Sequence, residues 1–205
     1  LDLIPLDANY IQLADPRSKF LQSTPAFDFI SSQSGTFRVY SPAGDLPYAL
    51  ARERGVEALE GLLSFQLRHS VQAIRQATGC EKDNYATAAP PCLYDRAPIA
   101  VPNAEKLGRL NTRYILSNFP ISDPNLKLVF SDKQFVYENM LWLRRVRLTQ
   151  SGKAEIIDRR DGEYKIAVEV SESQTLIVSE TWLPGWQATV DGNPSATFMS
   201  HARCR

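Results

Sequence analysis

The side chains best suited to chemistry cluster near the C-terminus, in Trp182-Leu183-Pro184-Gly185-Trp186 followed by Asp191. Indole faces stack on sugar rings, and a carboxylate five residues after Trp186 could accept a hydroxyl hydrogen bond, so Trp182, Trp186 and Asp191 are candidate carbohydrate contacts. The structural alternative makes both indoles core or corner residues of a β fold. Burying one removes roughly 150–250 Å² from water. The structural role is the one expected, with Pro184-Gly185 as a tight turn in which Gly supplies a positive φ.

A second candidate group is Tyr137-Glu138-Asn139, which ends a β-like run and carries a phenol, a carboxylate and an amide. It could present them to a ligand; a strand end bonded to neighbouring backbone is the expected alternative. Asp158 and Asp161 lie beside Arg159 and Arg160, a pattern typical of a solvated hairpin tip. His69 and His201 are the only histidines and are too far apart in sequence to argue a triad or a metal site. The three cysteines, Cys80, Cys92 and Cys204, have no zinc-type spacing. Cys80 and Cys92 could form a disulfide in an oxidising compartment, worth about 3 kcal/mol for so short a loop, or remain two thiols; the sequence leaves both open. No glycine-rich phosphate loop or nucleophile elbow is present. No catalytic residue, metal site or cofactor is therefore assigned.

Composition narrows the partners. Lys+Arg and Asp+Glu both number 23, so formal charge cancels and nothing marks a phosphate-backbone partner; nucleic acid is not expected. A chain of 205 residues with 43% hydrophobic content can bury a real core. No apolar run approaches the roughly 18–20 residues a membrane-spanning helix needs, and no signal peptide is visible. Leu1-Asp2-Leu3-Ile4-Pro5 lacks Met and is expected to be an internal point of a longer polypeptide.

Several elements must position these groups. Phe27 and Ile30 share a face of a short helix around Ala26–Ser31, and Phe37-Arg38-Val39-Tyr40-Ser41 is strand-like between Gly35 and Pro42. Leu67, Val71 and Ile74 repeat at helical spacing from a Ser64 cap to a Gly79 stop. Prolines 90, 91, 98 and 102 mark a loop, after which Asn103 caps a short helix. Arg113–Ser117 predicts a strand, and Leu126–Phe130 with Gln134–Glu138 a hairpin. From about Arg144 onward the pattern is all-β. Strands at Arg145–Leu148 and Ala154–Arg160, an Asp161-Gly162 turn, the alternating Tyr164, Ile166, Val168 and Val170, a doubly buried Thr175–Ser179, and Trp186–Val190 returning at Ala196–Met199 predict a β-sandwich. The expected class is α+β: a mixed α/β subdomain over 1–142, then an antiparallel β-sandwich over 143–205, incomplete at its C-terminal edge.

Five segments together resemble one family: Phe37–Ser41, Gly61–Arg68, Leu110–Ser117, Phe135–Asn139 and Val178–Gly192. Their order and content are similar to the C-terminal extracytoplasmic region of YfhO-type bacterial polytopic membrane proteins, which are related to the GT-C glycosyltransferases. Two segments depart: Ser64-Phe65 stands where the family starts a helix with Asp-Pro, and Leu141-Trp142-Leu143-Arg144-Arg145 lacks the family's proline. The resemblance implies a domain outside the bacterial cytoplasmic membrane, partnered by the transmembrane body of the same parent protein and by a glycan or lipid-linked sugar. It also implies that the catalytic carboxylate of such a transferase lies elsewhere, since the class carries it in a loop of the membrane body. Three rivals remain: a carbohydrate-binding module using Trp182 and Trp186, a self-sufficient hydrolase with paired carboxylates, and a purely structural or assembly domain.

Overall fold

A computed structural model describes residues 22–60, 67–79, 102–160 and 162–199. Helix α1 (Pro25–Ser31) starts where the chemistry favours it: Pro25 needs no amide donor at the first position, and the Thr24 hydroxyl accepts from the Phe27 amide at 3.2 Å. Its apolar face carries Ala26, Phe27 and Ile30, all buried. Strand β1 (Arg38–Tyr40), helix α2 (Tyr48–Glu53) and the short β2 (Glu57–Ala58) follow.

Helix α3 (Arg68–Thr78) ends at Gly79, whose φ of +74° lets its amide turn back to the Arg75 carbonyl at 2.9 Å. Its start is at Leu67, without a side-chain cap; the expected Ser64 cap lies outside the described residues. Helix α4 (Ala104–Arg109) is capped by Asn103, as its sequence predicts, with the side-chain oxygen accepting from the Lys106 amide at 2.9 Å.

Strands β3 (Thr112–Ser117), β4 (Leu126–Ser131) and β5 (Phe135–Asn139) complete a five-stranded mixed sheet in the order β2-β1-β3-β5-β4. β1 runs parallel to β2 and β3, while β3-β5-β4 is an antiparallel meander. Both faces are covered. Val39, Tyr114, Leu116 and Val136 pack with α1 and α2 on one side; Tyr40, Ile115 and Tyr137 pack with Leu107 of α4 and Ala77 of α3 on the other. Such two-sided burial leaves every residue of β3 buried except Arg113, which is half-buried.

The chain then becomes antiparallel throughout: β6 (Val146–Leu148) pairs with β9 (Leu176–Val178), β7 (Lys153–Arg160) with β8 (Glu163–Glu169), and β10 (Ala188–Val190) with β11 (Asn193–Ser195). The class is α+β, with a sheet-rich C-terminal region. Two local expectations are corrected. β9 is half-buried rather than buried on both faces, because it pairs only with β6 among the described strands. The final return begins at Asn193 instead of Ala196: Asp191 and Gly192 both adopt positive φ, +51° and +82°, so a two-residue turn lets Asn193 pair at once with Val190.

Candidate functional site

Among the described residues, a cluster of interacting charges lies where the mixed sheet meets the C-terminal region. Arg145, just before β6, is the bulkiest fully enclosed side chain, with only 1% of it exposed. Its guanidinium reaches three ways: Nε donates to Asn111 Oδ1 at 3.0 Å, Nη1 donates to Glu180 Oε2 at 3.0 Å, and Nη2 donates to Glu57 Oε2. Arg38 of β1 runs alongside, donating from Nη1 to the Leu110 and Ser179 carbonyls, each at 3.1 Å, and from Nη2 to Glu180 Oε1 at 3.0 Å. Arg159 of β7 closes the far side on Glu57 Oε1, and the Tyr164 hydroxyl of β8 donates to Glu180 Oε2.

The fold builds this arrangement locally. Asn111, at φ +63°, turns the chain from α4 into β3 and donates from Nδ2 to the Leu143 carbonyl at 2.9 Å. That fixes the segment from which Arg145 enters. Asn is one of the few residues that adopt this backbone region at modest cost.

Electrostatics follow from the packing. Burial alone would raise the Glu57 carboxyl, but the Arg159 hydrogen bond and the Arg145 charge outweigh it and hold the group below its usual range. At Glu180 burial is likewise overcome, by the Tyr164 hydroxyl, Arg38, the Thr181 amide and Arg145. Tyr164 is pushed up to about 12 by burial and by its bond to Glu180. Both carboxylates are thus ionised and occupied on both oxygens. Neither holds a proton to donate near neutral pH. Across the two halves of the molecule the arrangement acts as a clamp.

The predicted contact residues are elsewhere. Tyr137 is buried and its hydroxyl accepts from the Ile121 amide at 2.9 Å. Glu138 pairs with Arg113 at 2.9 Å. Asn139 is fully buried: Nδ2 donates to the carbonyls of Ala104 and Thr112 at 2.8 and 3.1 Å, and Oδ1 accepts from the Leu141 amide at 2.9 Å. The polar ends of all three are taken up by the protein's own groups. Trp186 is half-buried; its Nε1 donates to the Thr181 carbonyl at 3.2 Å, and its ring lies 6.4 Å from that of Tyr164. Trp182 is half-buried with its Nε1 enclosed and unpartnered. Asp191 sits exposed in the β10–β11 turn. Asp158 pairs with Arg160 at an exposed strand end. Cys80, Cys92, Cys204 and His201 lie outside the described residues.

Sequence reasoning did not single out Glu57, Glu60, Asn111 or Arg145. The available signal was charge interleaved with apolar residues in strand-like runs, as in Val56-Glu57-Ala58-Leu59-Glu60 and Arg145-Val146. Glu60 is buried; burial raises its carboxyl to about 8 although the Ser41 amide donates to Oε1 at 2.8 Å. Its Oε2 and the nearby Tyr48 hydroxyl have no hydrogen-bond partner. A small cleft of about 140 Å³ borders the clamp at Glu57 and Arg159, with Ser31, Gln33, Thr36 and Arg54 also lining it. It is well below the roughly 300–1,000 Å³ of ordinary small-molecule sites.

No protein-family model, curated protein or solved structure matches this chain. Among the described residues, no group of His, Cys, Asp and Glu side chains could hold a metal ion, and no helix is long and apolar enough to cross a membrane.

Proposed function

We propose that the chain is an extracytoplasmic accessory domain of a GT-C-like bacterial membrane protein involved in cell-surface glycan or lipid modification, without a catalytic centre of its own. One observation carries this reading. Polar residues from four of the five resembling segments face inward: Arg38, Asn111, Asn139 and Glu180 all bond across element boundaries rather than toward a cleft. Residues arranged in this way specify a shape. Reactive groups would then belong to the membrane body, and the domain's task there is to cover that body, shape acceptor access or contact a partner.

Uncovered apolar side chains on the C-terminal strands and their connections favour the assembly role over a free-standing sugar-binding module. Leu183, Val190 and Phe198 are all exposed, whereas one side of Trp186 is taken by Tyr164. Localisation tests the reading. Alkaline phosphatase fused to the end of the native reading frame in bacterial cells should be active and should fractionate with membranes. An inactive fusion recovered in the soluble cell fraction would overturn the proposal.

A further inference from the structure

Two arginines from distant parts of the chain line the small cleft beside the clamp: Arg54, which follows α2, and Arg159 of β7. Arg54 lies over the Phe27 ring, 5.4 Å from its centre, and its Nη1 donates to Asp28 Oδ1 and, at 3.2 Å, to the Ser31 hydroxyl. Arg159 lies over the Tyr164 ring, 5.3 Å from its centre, and its Nη1 donates to Glu57. A guanidinium held by a ring and an ion pair is ordered before any ligand arrives, so little side-chain entropy remains to be lost on binding. In both residues only Nη1 is engaged: among the described residues, neither Nε nor Nη2 donates to a protein acceptor. The two side chains stay 37% and 39% exposed, so those donors are within reach of solvent.

The ion pairs at this place do not cancel. Among the described residues, Arg38, Arg54, Arg145 and Arg159 meet Asp28, Glu57 and Glu180, four guanidiniums against three carboxylates. Nearby Arg113 is matched by Glu138. Guanidiniums stay protonated in proteins, and all three carboxyls are held below their usual range, so one positive charge is left over. Arg38 and Arg145 are only 13% and 1% exposed, which leaves the cleft as the place where an outside anion can meet that surplus. Ser31 and Thr36, both bearing hydroxyls, also line it. Apart from chain neighbours, no atom stands within 4 Å of where a Cβ would sit on Gly35 or Gly55, so the space beside these two lining residues is open.

We propose that this cleft binds a phosphate group, with Arg54 and Arg159 donating to its oxygens through Nε and Nη2. Donors from two guanidiniums on separate elements suit a tetrahedral oxyanion, whereas a planar carboxylate is satisfied by a single guanidinium fork. A cleft of about 140 Å³ takes one such group and not a whole cofactor, so the molecule that carries the phosphate extends into solvent. Formal charge cancels over the whole chain, which makes the local surplus, rather than bulk attraction, the source of affinity. A soluble phosphate ester and a phosphate-bearing lipid headgroup present the same chemistry here. The site does not depend on the accessory-domain reading, because a phosphate can be bound at any cellular address.

The test is isothermal titration of the 205-residue chain with inorganic phosphate and with glycerol phosphate at constant ionic strength, with acetate as the carboxylate control. Both phosphates should bind at one site, and acetate about tenfold more weakly. Arg54→Gln removes one set of charged donors and should weaken phosphate binding about tenfold. Arg159→Lys keeps a cation for Glu57 but loses the planar fork, and should weaken it about fivefold. Arg54 and Asp28 form an exposed pair, so Arg54→Gln should unfold close to the wild-type urea midpoint. Cosedimentation with phosphatidylcholine vesicles, with and without phosphatidic acid, separates the two sources. Given soluble binding, pelleting with phosphatidic acid that Arg54→Gln reduces assigns the site to a lipid headgroup; no pelleting assigns it to a soluble ester. Absence of binding to both phosphates, or acetate binding as tightly as phosphate, overturns the proposal. So does an affinity left unchanged by either variant, which would mean an adventitious ion only.

Discussion

Arg145 Nη1 lies 3.0 Å from Glu180 Oε2, joining the start of β6 to the end of β9 at a point where almost no solvent reaches the guanidinium. A buried ion pair is weak evidence of net stabilisation, because desolvation offsets much of its attraction. Removing one partner is another matter. Arg145→Met would leave Glu57 and Glu180 facing each other with fewer cations, and should cost about 3–5 kcal/mol in urea unfolding.

The two classes of perturbed carboxyl respond oppositely to pH. Glu57 and Glu180 are held below their usual values, so the stability they contribute is present above the unfolded-state value near 4.5 and is lost as pH falls through the folded values. Glu60 is raised, so the folded protein keeps a proton that the unfolded chain releases, and stability falls as pH rises from about 4.5 toward about 8. Glu60→Gln removes that ionisation. Relative to wild type it should gain a few kcal/mol across this interval, at roughly 1.4 kcal/mol per unit. Parallel unfolding curves for the two proteins across the interval would contradict the assignment.

Gly108 gives a test with an inverted sign. In an open helical position, Gly→Ala adds up to about 1 kcal/mol of stability. Here the new methyl would collide with the Leu141 backbone, which is itself pinned through its amide by Asn139 Oδ1, while the next residue but one, Leu143, is held by the Gly108 carbonyl. Gly108→Ala should instead destabilise by about 1–3 kcal/mol, measured by denaturant titration, with loss of the ordered β5–β6 link.

Trp186 is expected to matter for folding and not for sugar. Trp186→Ala removes the Tyr164 contact and the bond to the Thr181 carbonyl, and should cost about 1–3 kcal/mol. Soluble saccharides should leave the Tm of the wild-type chain unchanged. A saccharide that raises Tm in wild type but not in Trp186→Ala would favour the carbohydrate-binding reading.

Local signals made most of the elements legible. Asn103 and Gly79 mark helix ends through chemistry that acts within four residues, Phe27 and Ile30 mark the face of α1, and the β4–β5 hairpin follows from its apolar runs. The clamp was not legible, because its partners are far apart: Arg145 meets a residue 88 positions earlier, and Arg159 one 102 positions earlier. Arg159 in particular reads as a solvated hairpin charge until β2 is known to lie beside it. The Tyr137-Glu138-Asn139 group shows the converse, since its strand-end position was visible while its acceptors on α4 and β3 were not.

The central claim is that the inward-facing charges tie two halves of one fold together. The most direct measurement is a double-mutant cycle in urea, comparing Arg145→Met, Glu180→Gln and the pair. A structural clamp predicts a coupling energy of about 1–3 kcal/mol. Additive effects, with coupling within about 0.3 kcal/mol of zero, would mean that the two groups do not depend on each other and would contradict the account.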